Sequence, residues 1–151
     1  YKSFSRQEFK KDSNRFLKMI LLQDKLLGTR QEFRLGHWIE EARNLGKTVE
    51  EKDLYEWNAR VQITTWGNRI CADNGGLHDY GHKEWQGLLK DFYYLRWSTF
   101  MTSLASQLSL QNTPQIDWYG LEEPWTLQKS PYSSKAEGSP IDVAKEVIDC
   151  I

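Results

Sequence analysis

An all-α fold, a bundle of about five or six helices forming one domain over residues 1–151, is what this sequence predicts. Three observations carry that expectation. Apolar residues recur at helical spacing through most of the chain, and no stretch alternates apolar and polar residues long enough to make a strand. Four Pro and ten Gly are too few for a loop-rich all-β chain. Composition narrows the function as well. Twenty Lys+Arg against twenty-one Asp+Glu leave a net charge of -1, which provides no basic field for nucleic acid and no polybasic membrane patch. The mean hydropathy of -0.69 and the short apolar run Met19 to Leu22 exclude a membrane-spanning helix, and no signal-peptide pattern opens the sequence. Seven Trp, seven Tyr and six Phe fill core volume and also provide faces on which planar or sugar ligands stack. Two cysteines, Cys71 and Cys150, are too few for a disulfide scaffold and leave the redox compartment open.

The first helix runs from about Phe4 to Leu27. Phe9, Phe16, Ile20 and Leu27 repeat on one face, Leu17, Leu21 and Leu22 widen the stripe, and Gly28 stops it. A second helix carries Leu35, Trp38, Ile39, Ala42 and Leu45 and ends at Gly46. Thr48 and Glu51 have the spacing of a capping box and open a third helix. Leu54, Trp57, Asn58 and Val61 form one stripe of it, Ala59, Ile63 and Trp66 another; a helix apolar on two faces is expected to be central, packed on both sides, and to close at Gly67. The segment from Asn68 to Asp79, rich in Gly and Asn, reads as a long loop of the kind that carries function, with Asp79 capping the next helix. In that helix Trp85, Leu88, Leu89 and Phe92 make a stripe, and Trp97, Phe100, Met101, Leu104 and Leu108 make another. The five-residue step from Phe92 to Trp97 predicts a kink or π-bulge near Tyr93 to Leu95. Asn112 to Pro114 breaks the pattern, and Ile116 to Leu127 is aromatic but too weakly periodic to assign. A polar turn from Ser130 leads to Ser139, which caps a last helix with Pro140 in its first turn and Ala144, Val147, Ile148 and Ile151 facing inward. No internal repeat recurs at helical-repeat periods.

Candidate chemistry is sparse. His78 and His82 stand one helical turn apart, as in zinc proteases, but Gly81 lies between them and no third ligand is evident; two surface histidines at a helix start is the better reading. The adjacent acids Glu40-Glu41, Glu50-Glu51 and Glu122-Glu123 diverge by about 100° on a helix, cannot flank one bond, and read as solvent-face or first-turn acids. No nucleophile elbow, oxyanion turn or phosphate loop is present, and nothing orients Cys71 as a nucleophile toward His78. Glu56, Asn58, Arg60 and Gln62 interleave with the apolar residues of the third helix; on a central helix they must be buried and paired, which points to a structural hydrogen-bond network. The strongest site candidate is the junction after that helix. Trp66 precedes the Gly-rich loop and Leu77 and Tyr80 follow it, so two rings flank an exposed turn able to wall a pocket.

At these residues the sequence resembles a known family. The run Glu51-Lys-Asp-Leu-Tyr-Glu-Trp-Asn-Ala-Arg-Val-Gln-Ile-Thr-Thr-Trp-Gly67 is similar to a stretch of the α-N-acetylglucosaminidases, glycoside hydrolase family 89. So are Phe33-x-Leu35-Gly36-x-Trp38-Ile39-x-x-Ala42-Arg43, Asp79-Tyr80-x-x-Lys83-x-Trp85-x-Gly87-Leu88, Phe92-Tyr93-x-x-Arg96-Trp97 and Ile141-Asp142-x-Ala144-Lys145, in order over nearly the whole chain. The resemblance implies the C-terminal helical domain of such an enzyme, packed on a (β/α)8-like barrel of the same polypeptide. The barrel holds both catalytic carboxylates of a retaining mechanism, so no catalytic residue, metal or cofactor is expected here. It further implies that Trp66, Leu77 and Tyr80 line one side of the pocket for a terminal α-linked N-acetylglucosamine, and that the parent is exported. The chain departs from the family where Asn68 replaces a proline after Gly67, where the loop to Tyr80 is longer, where Gly81-His82 replace Ala-Asn, and where Leu95 replaces a proline. Two other classes stand beside this expectation: a free-standing helical module gripping a partner protein with its aromatics, and a metal enzyme built on His78 and His82.

Overall fold

The computed structural model describes residues 5–75, 79, 81–107 and 115–149. Seven α-helices occur among them: α1 (Arg6–Leu27), α2 (Leu35–Asn44), α3 (Val49–Gln62), α4 (Arg69–Gly75), α5 (Tyr94–Gln107), α6 (Trp118–Thr126) and α7 (Pro140–Ile148). The all-α expectation holds, with more helices than expected. The additions have local causes. Asn68 accepts a 3.0 Å hydrogen bond from the Cys71 amide and so starts α4 inside the segment read as loop. Asp117 accepts from the Gly120 amide at 3.0 Å and starts α6, which continues for two residues past Pro124.

Capping decides most of the other boundaries. Ser5 with Glu8 and Thr48 with Glu51 both form reciprocal capping boxes, and Ser139 caps α7 ahead of Pro140. The phase slip between Phe92 and Trp97 is a π-helical turn, Leu89–Tyr93, running directly into α5. The helix bearing Phe92 does not begin at Asp79. Residues 82–85 are irregular, and Gln86 makes a parallel bridge with Arg34, with the Gln86 amide 2.7 Å from the Phe33 carbonyl and the Leu35 amide 3.0 Å from the Gln86 carbonyl. Helical structure then starts under a tertiary cap: the buried Asp24 carboxylate of α1 accepts from the Gly87 amide at 2.6 Å and the Lys90 amide at 3.1 Å.

The core sits where α1, α2, α3, the π-helical turn and α6 converge, and is built from Ile20, Leu35, Ile39, Ala59, Ile63, Leu88, Leu89, Phe92, Tyr93 and Trp125. Phe92 packs edge-on against Trp125, with centroids 5.4 Å apart, and against Tyr93 at 5.3 Å. The helix α3 differs from its expectation in two ways. It ends at Gln62, four residues before Trp66, because the Thr64 hydroxyl donates to the Arg60 carbonyl at 2.7 Å and the chain then turns out of the helix. It is also packed on one side only. Ala59 and Ile63 are buried, whereas Leu54 and Trp57 remain 55% and 43% exposed. The interleaved polar set divides the same way. Asn58 and Gln62 are exposed. Glu56 and Arg60 are buried as a pair, with Arg60 Nε and Nη2 at 3.0 and 2.7 Å from Glu56 Oε1. Arg60 also lies 4.9 Å from the Trp125 ring centre and donates to the Ser130 carbonyl at 3.1 Å, so its charge is neutralised and held.

Candidate functional site

The end of α3 is built by three successive buried residues and one exposed ring. Ile63, Thr64 and Thr65 are buried; Trp66 follows in the left-handed region at φ 63° and is 45% exposed. Its amide donates 2.8 Å to the Val61 carbonyl, closing the helix in the position normally given to glycine. An indole there carries a steric cost of about 1 kcal/mol or more and persists only where surrounding contacts fix it. Those contacts come from the far side of the Gly-rich segment. The Asp79 amide donates 2.8 Å to the Thr64 carbonyl, and Asp79 is itself left-handed at φ 53°.

Asp79 was expected to cap a helix; instead its carboxylate sits at the centre of a charged cluster. Oδ1 accepts from the Tyr93 hydroxyl at 2.5 Å, and Oδ2 accepts from Arg96 Nη1 at 3.0 Å with His82 Nδ1 3.5 Å away. Arg96 turns its Nε to 3.1 Å from Glu122 Oε1, and its guanidinium lies 5.5 Å from the Trp118 ring centre and 5.9 Å from that of Phe92. Glu122 is the one member of the adjacent acid pairs that breaks the solvent-face expectation, being 1% exposed. Burial pushes its carboxyl above the ordinary range; Arg96 opposes this shift and Asp79 adds to it. Burial, and then the hydrogen bond to Asp79, push the Tyr93 phenol well above its ordinary value, so it keeps its proton and donates it to Asp79. Above this cluster opens a cavity of about 420 Å3, walled by Trp97, Phe100 and Trp118 with His82 at its edge.

A larger cavity, about 660 Å3, lies elsewhere, between α2, α3 and residues 129–135. Four of its charged groups are paired with one another, Arg43 with Asp53 at 3.1 Å and Glu56 at 2.6 Å, and Lys129 with Asp53.

Of the three expected pocket residues, Trp66 is presented at the surface as anticipated, while Leu77 and Tyr80 lie outside the described residues, as do His78 and Cys150. Asp79, which stands between Leu77 and Tyr80 in the chain, is fastened two residues from Trp66. Among the described residues no group of three His, Cys, Asp or Glu side chains could hold a metal ion, and His82 instead faces Asp79 and the Tyr93 ring, 5.7 Å away. Cys71 is exposed on α4, and a Cβ added at Gly67 would lie 3.3 Å from the Cys71 Cβ. The helix α4 is tied to α6 by the bidentate pair of Arg69 with Asp117, at 2.8 and 3.0 Å.

Sequence reading missed the partners of Asp79. A signal was present: Arg96 has no acidic residue, and Glu122 no basic one, three or four positions away on its own helix, so each has to be neutralised from another element.

Comparison with known proteins gives a consistent result. The sequence model described as "Alpha-N-acetylglucosaminidase (NAGLU) C-terminal domain" matches residues 1–150. The human protein "Alpha-N-acetylglucosaminidase" is 34% identical over 130 residues, which is 82% of this chain and 17% of that protein. A family 89 glycoside hydrolase from Clostridium perfringens, solved in complex with PUGNAc, is 40% identical with a TM-score of 0.85 over 95% of this chain and 17% of its own. A substituted form of a Clostridium perfringens enzyme, solved with "its substrate GlcNAc-alpha-1,4-galactose", matches at 39% identity and the same TM-score of 0.85. The chain thus spans about one sixth of the length of these relatives.

Proposed function

Because the chain belongs to the α-N-acetylglucosaminidase (NAGLU) C-terminal domain family, we propose that it forms one wall of the pocket for a terminal α-linked N-acetylglucosamine within a larger glycoside hydrolase, whose barrel carries the two catalytic carboxylates. The observation that carries the reading is Trp66: a large ring kept out of the core, held at positive φ, on the turn where Leu77 and Tyr80 follow in sequence. An N-acetyl sugar presents apolar C–H faces and a methyl group, and an indole, an aliphatic side chain and a phenol match them. Support also comes from the relatives, which are solved with PUGNAc, 2-acetamido-1,2-dideoxynojirmycin and GlcNAc-alpha-1,4-galactose.

The same reading accounts for the uncovered side of α3. Leu45, Val49, Leu54 and Trp57 stand 75%, 67%, 55% and 43% exposed, a run of apolar side chains suited to packing on the rest of the parent polypeptide. A separate partner protein is the competing occupant of that face, and the exposed ring of Trp66 on a strained turn favours the sugar.

The experiment is Trp66→Ala in the full-length polypeptide carrying this domain, assayed on a chromogenic α-N-acetylglucosaminide. Loss of roughly 80 Å2 of ring contact at about 25 cal/mol per Å2 amounts to about 2 kcal/mol, or roughly a 30-fold fall in kcat/KM. The melting temperature stays nearly unchanged because the ring is half exposed. An unchanged kcat/KM removes Trp66 from the site, and hydrolysis by the 151-residue chain alone overturns the assignment of the carboxylates to the barrel.

A further inference from the structure

We infer that Tyr93 and Arg96 are positioning residues for the sugar-facing turn, acting through Asp79; this rests on the pocket reading above and extends it to residues that do not touch the sugar. Trp66 at φ 63°, Asp79 at φ 53° and His82 at φ 37° are the positive-φ residues other than glycine among the described residues, and all three belong to this turn. Each conformation is costly for a side chain with a Cβ and survives only when other contacts over-determine it.

The backbone provides one clasp, the 2.8 Å bond from the Asp79 amide to the Thr64 carbonyl. The other constraints pass through the Asp79 carboxylate, which is 10% exposed and receives the Tyr93 hydroxyl on one oxygen and Arg96 on the other. Both donors are rooted in rigid structure. Tyr93 is the last residue of the π-helical turn, and the extra residue of that turn lets Phe92 fill the core at 1% exposure while the next side chain, Tyr93, reaches Asp79 with its hydroxyl. Arg96 is gripped from behind by Glu122 of α6, also 1% exposed, and by the face of Trp118. A hydrogen bond to a buried carboxylate is among the stronger contacts a side chain makes, and here two of them converge on the residue that fixes one side of the turn. Both contacts converge on a left-handed residue whose amide is bonded two residues before Trp66.

The test uses the full-length polypeptide with four variants: Tyr93→Phe, Arg96→Lys, Trp66→Ala and the double variant Tyr93→Phe/Trp66→Ala. Tyr93→Phe keeps the buried ring and deletes one hydrogen bond; Arg96→Lys keeps the charge but cannot serve Asp79 and Glu122 in the same fork. Each is expected to raise KM for an α-N-acetylglucosaminide about tenfold while kcat moves less than about threefold, the signature of weakened ground-state binding. In the Trp66→Ala background the added effect of Tyr93→Phe falls below about threefold, because the two act on the same contact. If Tyr93→Phe and Arg96→Lys leave KM within about twofold while Trp66→Ala is impaired, the positioning role is overturned and the pocket reading stands. If activity falls only in proportion to folded protein with KM intact, the positioning role is likewise overturned. If Trp66→Ala has no effect, both fail together.

Discussion

Replacing Asp24 measures how far the architecture behind the site depends on one carboxylate. Asp24 lies on α1 and is 5% exposed, and its Oδ1 accepts two backbone donors, the Gly87 amide at 2.6 Å and the Lys90 amide at 3.1 Å. Those amides open the helical run that begins with the π-turn and continues into α5, so they are first-turn donors without helical partners of their own. Asp24→Ala strands both in a buried setting at about 1–3 kcal/mol each, giving a total of about 2–5 kcal/mol once partial relaxation is allowed. For a chain of 151 residues that corresponds to a fall in Tm of about 5–15 °C. Asp24→Asn keeps a carbonyl oxygen in the same place. Burial already raises the Asp24 carboxyl pKa, against the pull of the two amides, so losing the charge costs little there, and the Asn variant is expected within about 1 kcal/mol of the parent. Urea unfolding of the three proteins, followed by circular dichroism at neutral pH, gives the comparison. An Ala variant as stable as the parent, or an Asn variant as damaged as the Ala, refutes the view that acceptor geometry rather than charge holds this junction.

Two further substitutions probe neighbouring features. Gly87 sits at φ 90°, and a Cβ there would lie 2.9 Å from the Tyr132 ring, so Gly87→Ala is expected to cost about 2–4 kcal/mol from strain and crowding together; a thermal melt indistinguishable from the parent contradicts it. Glu122 has its carboxyl pKa raised by burial above 4.5, so the folded state holds this proton to higher pH than the unfolded chain does. The stability that comes from this group is present at low pH and is lost as pH rises through its folded-state value. Glu122→Gln is therefore expected to gain on the parent between pH 4 and pH 7, read as urea midpoints of both proteins across that range, and a gap that does not change with pH overturns it.

The parts of the fold that were legible in sequence are those with local causes. The helices α1 and α2, the Thr48 and Ser139 caps and the phase slip after Phe92 all follow from spacing within a few residues. What was not legible depends on partners distant in sequence. The expected stripe of Leu54, Trp57, Asn58 and Val61 on α3 fails because Leu54 and Trp57 stay about half exposed, a fact no periodicity reports. The end of α3 moves because the chain leaves the helix after Gln62, and Trp66 then takes a costly left-handed conformation on a turn whose Thr64 carbonyl is bonded by Asp79, thirteen positions beyond Trp66. The candidate site was suggested by local sequence features, whereas its construction depends on distant ones. An aromatic next to Gly67 and a Gly-rich segment is visible in the sequence, whereas the clamp on Asp79 is assembled from the π-turn, α5 and α6.

Under the pocket reading, that clamp ties recognition to the packing of the bundle. Arg96 is shared between Asp79, which faces the turn, and Glu122, which faces the interior, and its guanidinium spans the two at 3.0 and 3.1 Å. A change that shifts α6 relative to α5 alters the Arg96–Glu122 distance directly. Under the pocket reading, lesions along α5 and α6 would therefore weaken substrate binding while the domain remains folded. Lesions confined to the open face of α3, at Leu54 or Trp57, would leave binding by the assembled enzyme intact and act instead on how firmly the domain is seated in its parent.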